Sequence, residues 1–245
     1  MPASLPSPAA IADLAPTGKL RAAINFGNPV LATKDPTTGE PRGISTDLAR
    51  ELARRLDVAI EFVRYDSAGK VVDGLVKSAA WDVCFLAIDP LRAADISFTA
   101  AYVVIEGVYL VAEASPFHGN ADIDRSSRRV GVVTGSAYDL FLSRELKQAT
   151  IVRAAGIDAV VDLWAAGELD AVGGVKPLLE AIAKRLPGVR LLPERFMAIN
   201  QAMGTPRGRD AGARYVNQFL DEMKASGFVA EAFARNRIEG AALAP

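Results

Sequence analysis

The chain has one cysteine, Cys84, and one histidine, His118. A lone cysteine excludes an internal disulfide and a cysteine-based zinc site. Its place in the apolar run 83–88 reads as a small buried hydrophobe. A Ser/His/Asp or Cys/His triad would have to recruit His118, which stands between Phe117 and Gly119 with no nucleophile context beside it, so triad chemistry is not expected. Positive charge is not in surplus either. The 28 basic and 29 acidic side chains nearly cancel, whereas a dedicated nucleic-acid binder carries a basic excess. No apolar run approaches the roughly 18 to 20 residues of a membrane span, and a soluble product is expected. The opening Met1-Pro2-Ala3-Ser4-Leu5-Pro6-Ser7-Pro8 lacks a basic n-region and an apolar h-region, so as written it is not a secretory signal. Nothing here asks for a metal or a cofactor.

What is present is the balance of an ordinary globular chain, half hydrophobic and 23% charged over 245 residues, enough for one or two α/β cores. Residues 19–24 read as a strand followed by the loop Asn25-Phe26-Gly27-Asn28-Pro29. A helix follows over 47–56, with Leu48, Ala49, Leu52, Ala53 and Leu56 on one face and Ser45 or Thr46 as its cap. A strand near 58–63, a helix over 71–78 and a strand over 83–88 complete a β-α-β-α-β order, which implies a parallel sheet. Residues 102–111 are again apolar. After a polar stretch the pattern restarts: strand 129–133, helix 136–146, strand 151–152, helix 158–166, strand 171–174, helix 176–186 and strand 189–192. A long helix over 210–226 ends at Gly227, a natural C′ residue. The expectation is an α/β protein of two lobes: residues 18–103 and 200–245 in lobe one, 108–193 in lobe two. Hinges are expected near 104–107 and 194–199, with 1–17 as a loose Pro/Ala/Ser-rich arm.

Two segments have the chemistry to hold an anion. In Val133-Thr134-Gly135-Ser136-Ala137-Tyr138 a strand turns through glycine into a helix. The helix start can offer unpaired N–H groups to an anion at Gly135, Ser136 and Ala137, or Ser136 can simply cap its helix. It is not a phosphate loop, since no lysine follows. In Ile88-Asp89-Pro90-Leu91-Arg92, directly after a strand, Pro90 fixes the turn. The guanidinium of Arg92 suits a carboxylate, though a surface arginine paired with Asp89 or Asp95 fits the same residues. Asn25 and Asn28 can read a polar ligand or form the turn.

Several segments taken in order resemble the family 3 extracellular solute-binding proteins, the polar-amino-acid receptors of ABC importers. They are Gly18-Lys19-Leu20-Arg21, Gly43-Ile44-Ser45-Thr46-Asp47-Leu48-Ala49-Arg50-Glu51-Leu52-Ala53, Trp81-Asp82-Val83, Pro90-Leu91-Arg92-Ala93, Ile96-Ser97-Phe98-Thr99 with Tyr102, Val130-Gly131-Val132 with Gly135-Ser136, and Gly167-Glu168-Leu169-Asp170-Ala171-Val172. The resemblance covers residues 18–240. It implies a type II periplasmic-binding-protein fold, two α/β lobes joined by two crossing segments. It also implies a monomer that binds a small carboxylate ligand, works with the membrane subunits of an ABC transporter and has no nucleic-acid partner. Arg92 would clamp the ligand carboxylate from lobe one and Ser136 and Ala137 would meet it from lobe two. The location it implies is periplasmic, or cytoplasmic if Met1 is the true start.

The chain also departs from that pattern. Where family members that bind α-amino acids carry an acid, this one has Val175, followed by Lys176. The usual aromatic pair is replaced by Gly27-Asn28 and Ala68-Gly69, with Phe26 or Tyr65 as substitutes. Asp89 would either take a ligand ammonium or hold Arg92. Lys176, if it faced the cleft, would favour a second carboxylate. Glu106 is expected to be a hinge-surface charge. Binding without catalysis is the expected function. Two rival readings are a dehydratase-like enzyme on the same fold, with Asp89 or Glu106 as the acid, and a cytosolic small-molecule sensor.

Overall fold

A computed structural model describes residues 4–245. The chain forms two compact units, one running to Val104 and resuming over Asn200–Pro245, the other Ile105–Ile199.

In unit 1, α1 (Pro8–Leu14) precedes β1 (Lys19–Asn25), the short hairpin β2 (Thr33–Lys34) and β3 (Pro41–Arg42), α2 (Ile44–Leu56), β4 (Ala59–Tyr65), α3 (Ala68–Ser78) and β5 (Val83–Ala87). The long strand β6 (Ile96–Ala112) begins in unit 1 and ends in unit 2. There it is followed by β7 (Arg129–Val133), α4 (Ala137–Glu145), β8 (Thr150–Ala154), α5 (Ile157–Ala165), β9 (Ala171–Val175), α6 (Lys176–Ala183) and β10 (Val189–Leu191). β11 (Met197–Pro206) brings the chain back to unit 1, which closes with α7 (Asp210–Ala225), α8 (Phe228–Arg235) and β12 (Ala241–Leu243). None of the helices described is long and apolar enough to cross a membrane.

In unit 1 the strands lie in the order β4-β1-β5-β11-β6. β1 runs parallel to β4 from Lys19↔Ala59 to Asn25↔Tyr65 and parallel to β5 at Ala22↔Val83. β11 is antiparallel to β5, with Gln201 opposite Ala87. The expected parallel sheet is therefore corrected to a parallel core carrying an antiparallel strand. β11 enters from unit 2 in the reverse direction, without the helical crossover that parallel pairing needs. β5 is buried along its whole length, and the α2 face of Leu48, Ala49, Leu52, Ala53 and Leu56 is buried as its periodicity requires. The cap of α2 differs from expectation. It is Gly43, at φ 123°, and a Cβ there would lie 2.3 Å from the Leu31 carbonyl oxygen. Ser45 is inside the first turn instead, its hydroxyl 3.1 Å from that of buried Tyr102.

Asp82, with no exposed side-chain surface, holds several elements of unit 1 together. It accepts from the Arg21 backbone N–H at 3.1 Å, from Arg21 Nε and Nη2 at 2.9 and 2.8 Å, and from Arg209 Nη1 at 2.6 Å. Arg209 Nη1 also donates to the Asp13 carbonyl, and Asp13 Oδ2 accepts the Gly212 N–H at the start of α7. The loose arm expected over 1–17 is thereby corrected. From Ser7, whose hydroxyl accepts the Ala10 N–H, the segment is a capped helix with Ala10 and Leu14 buried and Asp13 anchored to α7. Met1, Pro2 and Ala3, the first part of that arm, lie outside the described residues.

In unit 2 the order is β10-β6-β9-β7-β8. β7 is parallel to β8 and β9, and β6 is antiparallel to β9 and β10. The core is formed by Val108, Leu110, Val160, Leu169, Val172 and Leu179.

Removing one partner from a buried ion pair leaves an uncompensated charge, so Asp82→Ala is expected to cost about 3–5 kcal/mol. Urea denaturation followed by circular dichroism checks this. Asp73→Ala, at an exposed pair on α3, should stay within about 1 kcal/mol of the parent.

Candidate functional site

β1 and β5 are adjacent and parallel, so their C-terminal ends open on the same edge of unit 1, where open α/β sheets present ligand-binding loops. After β1, Asn25 Oδ1 accepts the Gly27 N–H at 2.9 Å, an Asx turn, and Phe26 N–H donates to the Tyr65 carbonyl. Gly27 is needed there because a Cβ would lie 2.5 Å from the Asp66 carbonyl oxygen. Asn25 thus fills its turn-forming role. Asn28 is buried, and its carbonyl accepts from the Leu31 and Ala32 N–H groups. Of the two aromatic substitutes, Phe26 has Lys34 Nζ 5.2 Å from its ring centroid and Tyr65 packs against α3 at Gly74.

After β5, Asp89 Oδ1 accepts the Leu91 N–H at 2.9 Å, and Arg92 opens a single 3-10 turn. Arg92 is only 3% exposed, and its Nη1 donates to the Ala87 carbonyl at 2.9 Å. The alternative of a surface arginine is thereby excluded. Burial pushes its guanidinium down to about 10, with Asp89 pulling the other way. It remains a cation at neutral pH. Burial also pushes the nearby Cys84 thiol up, which keeps it protonated and inert.

In unit 2, β7 ends in the turn at Gly135, whose φ of 69° suits glycine. Ser136 caps α4, its Oγ accepting the Asp139 N–H at 3.0 Å. The capping role is therefore real, and the same hydroxyl also hydrogen-bonds the Tyr138 side chain. Two of the turn amides are engaged, Gly135 N–H with Asp139 Oδ2 at 2.8 Å and Ser136 N–H with the Val133 carbonyl. Of the three residues expected to meet an anion here, Gly135 and Ser136 thus have their N–H groups engaged within the turn. Asp139 also receives Arg153 Nε at 2.9 Å. Neither residue was singled out in the sequence, although Ser136-Ala137-Tyr138-Asp139 has the spacing of a reciprocal helix cap.

Val175 is buried at the end of β9, with Gly107 of β6 opposite. Beside this pair, Lys176 Nζ lies 2.8 Å from Glu106 Oε2, and Arg195 Nη1 lies 3.5 Å from Glu106 Oε1. The Lys176 ammonium holds the Glu106 carboxyl below the usual range, and its own pKa is raised in return. Lys176 is therefore engaged by Glu106 rather than open to a second ligand carboxylate. Glu106, expected as a hinge-surface charge, is the acceptor of a three-residue ion cluster. Arg195 carried no sequence signal.

Doubly wound edges of this kind define a class of ligand-binding folds, and comparison with solved structures places the chain in it. A mutant of ArgBP from T. maritima matches at TM-score 0.78 with 21% identity, over 94% of this chain and 100% of that one. The cysteine-binding protein of Campylobacter jejuni matches at TM-score 0.77 with 17% identity, over 93% and 92%. An ancestral amino-acid-binding protein described as a precursor of cyclohexadienyl dehydratase matches at TM-score 0.75 with 21% identity, over 92% and 97%. At such identities these likenesses establish the fold, that of the type II periplasmic binding proteins. Curated protein sequences yield no match. The sequence profile of the bacterial extracellular solute-binding proteins, family 3, matches residues 20–236. The chain belongs to that family.

Loss of a Ser cap costs roughly 1 kcal/mol, so Ser136→Ala should lower the denaturation midpoint without any ligand present, and Ser136→Thr should largely restore it. Chemical denaturation of the two variants beside the parent checks this.

Proposed function

We propose that this protein is the receptor of an ABC importer, working as a monomer outside the cytoplasmic membrane, and that it captures a small ligand through a carboxylate. The observation that carries this reading is Arg92: a guanidinium buried at the C-terminal edge of β5, still charged, in a loop that a solute-binding fold turns toward its ligand. A planar fork in a desolvated setting matches a carboxylate. In this proposal Asp89 shapes the Arg92 loop, Asn28 contributes from the neighbouring loop, and the Ser136 hydroxyl and Ala137 N–H supply the second unit's share, with the Gly135 turn presenting them. Binding of this kind requires no chemistry on the ligand. The family and the relatives reported above are binding proteins, which supports the reading. A dehydratase would need Asp89 or Glu106 as its acid, and the Lys176 ammonium holds the Glu106 carboxyl below the usual range while Asp89 Oδ1 accepts the Leu91 N–H.

A thermal-shift screen of small carboxylates and amino acids identifies a ligand, since binding to the native state raises its apparent stability. Titration calorimetry then compares Arg92→Ala and Arg92→Lys with the parent. Breaking a desolvated charge pair costs about 2 to 5 kcal/mol, so Arg92→Ala should lose some 30-fold to several thousandfold in affinity, at about 1.4 kcal/mol per decade. Arg92→Lys keeps the charge but not the fork and should weaken binding as well. Affinity within about threefold of the parent for Arg92→Ala would show that the ligand is held elsewhere.

A further inference from the structure

Three strands bring their chemistry to one edge of unit 2. β9 pairs with β7 in parallel, Gly131 opposite Val172, and with β6 antiparallel, Gly107 opposite Val175. Parallel β7 and β9 therefore lead into the Gly135 turn and Lys176 at the same edge of the sheet, and Glu106 of antiparallel β6 pairs there with Lys176. The ion pair therefore lies at the same sheet edge as the helix start proposed above for the ligand. Lys176 and Glu106 are each about two-thirds covered, at 37% and 36% exposure, so their charges are less screened than those of a fully exposed pair.

Both carboxylates at this edge are committed through both oxygens. Glu106 takes Lys176 on Oε2 and Arg195 on Oε1. Asp139 takes the Gly135 N–H on Oδ2 and Arg153 on Oδ1. A ligand ammonium placed here would meet Lys176, Arg195 and the positive ends of α4 and α6, with its would-be counter-charges already engaged. A carbonyl or hydroxyl would meet donors. We propose that the Lys176–Glu106 pair sets the charge selectivity of the site, admitting 2-oxo and 2-hydroxy acids and rejecting the ammonium of α-amino acids. The inference rests on the carboxylate reading of Arg92 and adds the identity of the ligand's second group. Each partner keeps the other neutralised. Removing Lys176 frees a carboxylate for an ammonium, and removing the charge of Glu106 frees an ammonium for a second carboxylate.

Matched probes test it by titration calorimetry: pyruvate against alanine, 2-oxopentanoate against norvaline, and glutarate as the dianion. The parent should bind the oxo acids at least about tenfold more tightly than the matching amino acids. Lys176→Met should erase or reverse that ratio, most completely when combined with Arg195→Gln, which removes the longer and more exposed contact. Glu106→Gln should raise the affinity for glutarate relative to 2-oxopentanoate. A simple loss of packing would weaken all probes in proportion and leave the ratios unchanged, and that result would overturn the inference. So would a parent that prefers norvaline to 2-oxopentanoate while Arg92→Ala still abolishes binding, an outcome that leaves the carboxylate anchor standing. Binding of none of the probes by the parent would overturn both.

Discussion

Asp82 has no access to water, and unit 1 is arranged to surround it with donors. Four N–H groups from Arg21 and Arg209 converge on it, replacing the hydration it loses on burial. The consequence is geometric. Arg21 belongs to β1, Asp82 immediately precedes β5, and Arg209 immediately precedes α7, so one buried charge fixes three segments at once. It does so at the end of the parallel strands opposite the candidate ligand loops. The turn after β1 and the buried arginine after β5 are therefore delivered by strands whose relative position is already set. The helix α1 joins the same arrangement through Asp13, which is why a segment with the composition of a free arm is packed.

The two candidate edges use charge differently. In unit 1 a cation is buried, and its positive charge survives because the desolvation that lowers its pKa leaves it well above neutrality. In unit 2 charges are paired off: Glu106 against Lys176 and Arg195, Asp139 against Arg153 and the Gly135 amide. Carboxylates committed in this way hold a turn and tune a field, and they are poorly placed to shuttle protons. That distribution agrees with a family of binding proteins.

Much of the architecture was legible in the sequence. The stripe of Leu48, Leu52 and Leu56 announced α2, the apolar run of 83–88 announced a buried strand, and the restarted β-α pattern announced a second unit, because hydrophobic patterning is a local signal. The Gly135-Ser136 turn and Arg92 were legible for the same reason, being short motifs at strand ends. What was not legible involved partners distant in sequence. β11 as a return strand, the Gly43 cap forced by the approach of Leu31, and the anchoring of α1 by residues some 200 positions away depend on which segments meet.

The sequence alone determined the α/β class, the two restarted units and the candidate anion-binding positions Arg92 and Ser136, since each is encoded within a dozen neighbouring residues. The tertiary structure alone decided that Arg92 is buried rather than solvated, that Ser136 caps its helix, and that Lys176 answers to Glu106, 70 residues away. Burial and pairing are properties of what surrounds a side chain. A chain position specifies the side chain, and only the folded sheet specifies its surroundings.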